Sequence, residues 1–125
     1  MDEKYLEGLK GEKKIRNYFI KKKIHFLQAD LMAKIRGKWH IIEIKYQEAY
    51  EPPPFMGHGL PRWQIQARLD FQEENDIRAM LFIVDKKTNI IYWQYMDELL
   101  KGDHFQTKGK NPRLIFPLES YNILI

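Results

Sequence analysis

The hydrophobic period of the chain changes several times, and each change predicts an element. From about Glu3 to Lys22 apolar residues recur at helical spacing. At about 100° per residue, Tyr5, Leu6, Leu9, Ile15, Phe19 and Ile20 gather on one side and Lys10, Lys14 and Lys21 on the other. The cations of Lys21-Lys22-Lys23 suit a helix C-terminus. Ile24 to Ala29 predicts a first strand. Asp30-Leu31-Met32-Ala33-Lys34-Ile35 is a second apolar run, and Trp39 to Tyr46 a third. Between these two lies Arg36-Gly37-Lys38, a turn signal, so a hairpin is expected. In the third run Ile42, Ile44 and Tyr46 should face one way, and Ile41, Glu43 and Lys45 the other.

Gln47 to Gly59 breaks all periodicity, with Pro52-Pro53-Pro54, Gly57 and Gly59. A loop of that length in a compact domain tends to be functional or mobile. It begins just after Lys45, at the rim of any site there. His58 sits in it and reads as a surface residue. Pro61 fits the first turn of a second helix, running to about Glu74 and ended by Asn75-Asp76. Gln64, Ala67, Arg68 and Phe71 form one stripe of it. Arg78–Val84 and Ile90–Tyr95 are two further strands joined by the Asp85–Asn89 turn. Met96 to Lys101 is a short helix or turn, and Gly102 to Pro112 a polar loop. Arg113–Phe116 and Tyr121–Ile125 read as a terminal strand or edge, with Pro117 arguing against a central place in a sheet. The whole is an α/β chain, αβββαββ in order, with a mixed central sheet flanked by helices.

Length and composition narrow the field. The 125 residues fit one domain, 1–125, and 44% hydrophobic content supplies a core. The absence of cysteine excludes disulfides and thiolate zinc sites and fits a cytoplasmic protein. No stretch approaches the roughly 20 apolar residues of a membrane span. The charged start Met1-Asp2-Glu3-Lys4 carries no signal region, so no membrane association is expected. The net charge of +4 tilts weakly toward polyanionic partners.

The candidate chemistry lies on the hairpin. A carboxylate and an ammonium, Glu43 and Lys45, share one face of an otherwise apolar strand, where charges are costly unless paired or used. Asp30 stands at the head of the neighbouring strand. Cutting a phosphodiester needs an activated water and a neutralised phosphate, and Mg²⁺ held by a few carboxylates supplies both. Asp30 and Glu43 could form that partial shell, with the carbonyl of Ile44 as a further ligand. Lys45 would stand near the attacking water or the phosphate. The plainer alternatives are a turn role for Asp30 and a surface ion pair for Glu43 and Lys45. Glu12 falls on the apolar side of the first helix; it either reaches toward Asp30 and Glu43 or pairs with Arg16 one turn on.

These residues resemble the PD-(D/E)xK nuclease superfamily, which includes restriction enzymes and archaeal-type Holliday-junction resolvases. The matching core is Ala29-Asp30 followed by Glu43-Ile44-Lys45, with Ala29 in place of the proline. Gly11-Glu12 resembles the glutamate that many members carry on the first helix. Gln64, with Gln66 in reserve, resembles the glutamine on the helix after the Glu-x-Lys strand. The resemblance covers about residues 5 to 95. It implies a restriction-endonuclease-like fold and a Mg²⁺-dependent endonuclease, with Mn²⁺ as substitute and no organic cofactor. The expected products are 5′-phosphate and 3′-hydroxyl ends. Catalytic roles would fall to Glu12, Asp30, Glu43, Lys45 and Gln64, and metal binding to Asp30, Glu43 and Ile44. Lys13, Lys14, Lys34, Lys38 and Arg68 are the expected DNA contacts. A chain this small predicts structure-selective or weakly specific cutting, by a homodimer whose two sites address two strands. The alternative is a non-catalytic nucleic-acid-binding or assembly module on the same fold. A third reading, a transposon- or phage-derived nuclease subunit, would use Tyr121–Ile125 as a docking strand.

Overall fold

The structure is a computed structural model that describes residues 3–24 and 31–124, with backbone alone at 4–9, 12 and 16. It is a mixed α/β fold. In chain order the described elements are α1 (Glu3–Lys21), β1 (Leu31–Ile35), β2 (Lys38–Gln47), β3 (Gly57–Pro61), α2 (Arg62–Asn75), β4 (Arg78–Asp85), β5 (Ile91–Tyr95) and α3 (Met96–Lys101). Then come β6 (Phe105–Gln106), β7 (Arg113–Pro117), a 3₁₀ turn at Leu118–Ser120, and β8 (Asn122–Ile123). The expected first strand, Ile24–Ala29, lies outside the described residues apart from Ile24.

The main sheet has five strands in the order β1-β2-β4-β5-β8. β2 and β4 run parallel, and the other neighbours are antiparallel. The hairpin predicted at Arg36-Gly37 forms between β1 and β2, with Leu31 opposite Ile42 and Ile35 opposite Lys38. Both turn residues have positive φ, 51° and 80°, the backbone of a tight turn that matches strand twist. Because β2 and β4 are parallel, the chain must cross over between them, and α2 makes that crossing.

α2 ends where Asn75-Asp76 predicts. Asp76 takes a left-handed conformation, and its N–H donates to the Gln72 carbonyl at 2.9 Å. The helix lies antiparallel to the two strands it links, and two contacts set its register. Arg68 meets Glu43, and one turn on Gln72 Oε1 accepts from the Ala79 N–H, at the level of Ile41. One helical turn, about 5.4 Å, thus matches two strand residues, about 6.6 Å.

A second sheet, β3-β7-β6, completes the layer that holds α2. Leu60, Ile65, Leu114 and Phe116 from this layer bury against Ile41, Ala79, Leu81 and Ile83 of the main sheet. Each of the Leu, Ile and Phe side chains contributes roughly 1.5–3 kcal/mol by burial.

Three expectations change. The segment Gly57–Pro61 is a wholly buried strand rather than the end of a loop. Its glycines are required by its neighbour: a Cβ at Gly59 would overlap the Leu114 carbonyl, and one at Gly57 the Phe116 carbonyl. β7 is the central strand of this second sheet, and Pro117 falls at its last position, where the ladder ends. On α1, Ile15 and Ile20 are 57% and 63% exposed, not core. Ile20 stands one residue, about 100°, round the helix from Phe19, and it is Phe19 that is half-buried. Among the described residues no helix is long and apolar enough to cross a membrane.

Candidate functional site

Burial along β2 is continuous from His40 to Glu43, with Ile42 5% exposed, and alternates only from Glu43 on. Glu43 faces α2 and is 4% exposed, Lys45 is half-buried two residues on, and Ile44 and Tyr46 of the opposite face are exposed. Glu43 Oε1 accepts from Arg68 Nη2 at 3.2 Å. Arg68 is itself 5% exposed, so this is a buried ion pair, in which each charge offsets the other's desolvation. Among the described residues Lys45 has no ion pair.

Gln64 precedes Arg68 by one helical turn. The register of α2 on the sheet therefore sets it above the Lys45 level, as Arg68 is above Glu43 and Gln72 above Ile41. Its Oε1 is buried and has no hydrogen-bond partner among the described residues. A buried acceptor left unmade costs about 1–3 kcal/mol. Gln66, the reserve, is turned outward, and its Nε2 donates to Asp70 at 2.8 Å.

The other expected residues are more scattered. Asp30 lies outside the described residues; it directly precedes Leu31, whose cross-strand partner Ile42 adjoins Glu43. Glu12 is on α1, with its side chain likewise outside. Lys13 and Lys14 are exposed on α1, and Lys34 and Lys38 are exposed at the hairpin. Lys38 begins β2 and stands about 23 Å of strand from Lys45, so it does not belong to the Glu43–Lys45 cluster. Arg68, expected among the DNA contacts, is committed to Glu43 instead of the surface.

A second polar cluster was not foreseen. His58 is fully buried, not a surface loop residue, and its Nε2 lies 2.8 Å from Asp85 Oδ2. Asp85 Oδ1 accepts from the N–H groups of Lys87 and Thr88, at 2.9 and 3.0 Å. Gln47 Nε2 donates to the Gly59 carbonyl at 3.0 Å, and the Tyr121 hydroxyl donates to the His58 carbonyl at 2.7 Å. His58 Nδ1 is 3.4 Å from Gln47 Oε1, too long to demand a second ring proton. Burial holds the His58 pKa below its ordinary value against the opposing pull of Asp85. Burial alone would raise Asp85, but the Thr88 amide, His58 and the Lys87 amide outweigh it and hold the carboxyl low. Burial pushes the Tyr121 phenol up.

The chain matches no protein-family model, no curated protein and no solved structure. Function therefore rests on the residues. Among the described residues no three His, Cys, Asp or Glu side chains stand close enough to hold a metal ion. Glu43 supplies one carboxylate, and the second, expected at Asp30, is outside the described residues.

Arg68 was missed as Glu43's partner, although a signal existed. A lone cation on the stripe of α2 that contains Gln64 complements a lone carboxylate on an apolar strand face. His58 and Asp85 carry no such signal, because they are joined only by the pairing of β3 with β7 and by the tertiary packing of both sheets.

Proposed function

We propose that the protein is a Mg²⁺-dependent DNA endonuclease of the PD-(D/E)xK kind, on a restriction-endonuclease-like core. What supports this reading is that Glu43 and Lys45 share one face of β2 and that the register of α2 puts Gln64 at the Lys45 level, with Lys45 in no ion pair and Gln64 Oε1 without a partner among the described residues. A stable fold rarely leaves a buried acceptor such as Gln64 Oε1 unmade without a use for it. Glu43, with Asp30 and the Ile44 carbonyl, would hold Mg²⁺, which when bound activates water and neutralises phosphate charge. Lys45 stabilises the charge that grows on the phosphate oxygens, as a preorganised cation on a fixed strand. Gln64, on α2, orients the Lys45 ammonium through its amide oxygen. Arg68 holds one oxygen of Glu43 in a fixed direction. Glu12 is assigned the accessory role that the resemblance implies.

A second reading, a non-catalytic nucleic-acid-binding module, draws on the Glu43–Arg68 pair. There Glu43 is already neutralised, and the pair serves only to tie α2 to the sheet.

The test is incubation with supercoiled, linear, single-stranded, flap and four-way-junction DNA, in Mg²⁺ or Mn²⁺ against EDTA. The expected result is metal-dependent cutting, lost in Lys45→Ala with the fold kept. Salt-sensitive binding without cutting in any divalent metal would overturn the nuclease in favour of the module.

A further inference from the structure

The outer flank of α2 carries a groove of about 760 Å³, walled on its far side by residues 110–112. Its two ends are oppositely charged. Arg62 lines the end at the helix N-terminus, and Asp70 and Glu74 the end toward the C-terminus. Arg62 is held there by bonds from its N–H to the Pro112 carbonyl, 2.9 Å, and from Nη1 to Gln106 Oε1, 3.3 Å. The floor between the ends is apolar, with Trp63, Ala67 and Phe71 at successive turns. Trp63 is 61% exposed, the kind of large aromatic that protein interfaces use as an anchor.

This charge order runs against the helix. A helix N-terminus favours anions and a C-terminus cations, each by about 0.3–1 kcal/mol. α2 has no acid in its first turn and no base in its last; it begins with Arg62 and ends near Glu73 and Glu74. A partner that brings acids to the first turn and bases to the last would offset that cost. An antiparallel copy of the same helix does so, because a two-fold axis near Ala67 reverses the order.

We propose that this groove is the interface with a second copy of the chain, α2 lying antiparallel to α2 of the other protomer. Arg62 then faces Glu74 of the second copy, and the contact repeats across the axis, as an isologous interface requires. Trp63 enters the second copy's groove beside Phe71, while Ala67 at the axis lets the helices approach. A helix of 14 residues, about 21 Å long, offers a small contact, so a micromolar dimer is expected. The inference stands whether or not the chain cuts DNA.

Sedimentation equilibrium over the micromolar range tests it. The chain should show a monomer–dimer equilibrium, weakened at least tenfold by Glu74→Arg and by Trp63→Ala. The doubly reversed chain, Arg62→Glu with Glu74→Arg, should regain the dimer, since the reversal preserves complementarity. A monomer at all concentrations would overturn the proposal and leave the groove to another occupant. A dimer indifferent to Glu74→Arg, or a double variant that stays as weak as Glu74→Arg alone, would overturn it too.

Discussion

At the end of β2, Gln47 meets His58 and Asp85 in a cluster where nearly every polar atom is answered. Asp85 takes two backbone amides and an imidazole, Gln47 donates to a strand carbonyl, and a buried phenol binds the His58 carbonyl. Four and two residues earlier on the same face, Glu43 and Lys45 lie under α2 and follow a different rule. One carboxylate is paired with Arg68, one ammonium has no ion pair among the described residues, and one buried amide oxygen lacks a donor there. Both clusters hide ionisable groups, so burial alone does not mark a site. What separates them is satisfaction: the first is closed and locks two sheets together, while the second keeps capacity in reserve.

The largest effect should come from opening the closed cluster. Asp85→Ala leaves the His58 ring and two turn amides without their acceptor, and is expected to cost about 1–3 kcal/mol in urea unfolding. A cost below about 1 kcal/mol would make the closed cluster no stronger than a surface pair. At the open cluster the order reverses. Lys45→Met should leave stability within about 1 kcal/mol while lowering cleavage by roughly 10²–10³. Comparable losses of stability at both positions would make the two clusters alike.

Acid sharpens the contrast further. The folded state holds His58 below its ordinary pKa of 6.5, so the unfolded chain binds that proton more readily. Its contribution is whole above pH 6.5 and is lost as pH falls below that value. Asp85 is also depressed, and its contribution is whole above its ordinary 3.8 and is lost as pH falls through the lower folded value. The melting midpoint should therefore decline from pH 7 to 5 and again below about 4. A His58→Gln chain should lose the first decline; if the first decline persists there, another group is responsible. The smallest expected change is in Gln64→Leu. Removing an unanswered buried oxygen should leave stability unchanged or raise it by about 1 kcal/mol. Cleavage should fall roughly tenfold, about 1.4 kcal/mol in the barrier. A marked loss of stability would show that Gln64 was already satisfied.

How legible the molecule is in its sequence follows the same division between local and distant causes. The β1–β2 hairpin, α2 with its Asp76 stop, and the Asp85–Asn89 turn are written in short patterns, because neighbouring residues determine them. β3 is not. Two glycines, a histidine and a proline give Gly57–Pro61 no strand propensity, and only the close approach of the β7 carbonyls makes it a strand. His58 inherits its burial from that pairing, so its partner 27 residues away was invisible. In the site, the face shared by Glu43 and Lys45 was legible from a period of two. The turn of Arg68 toward Glu43 depends on how α2 docks, which periodicity does not set.

The most direct test of the open cluster is a Mg²⁺ titration followed by amide NMR shifts. Saturable shifts concentrated at Ile42–Lys45 and along Gln64–Arg68, absent in Glu43→Gln, are the expected result. The absence of any saturable shift, or shifts centred on the Asp85–Thr88 turn, would contradict it.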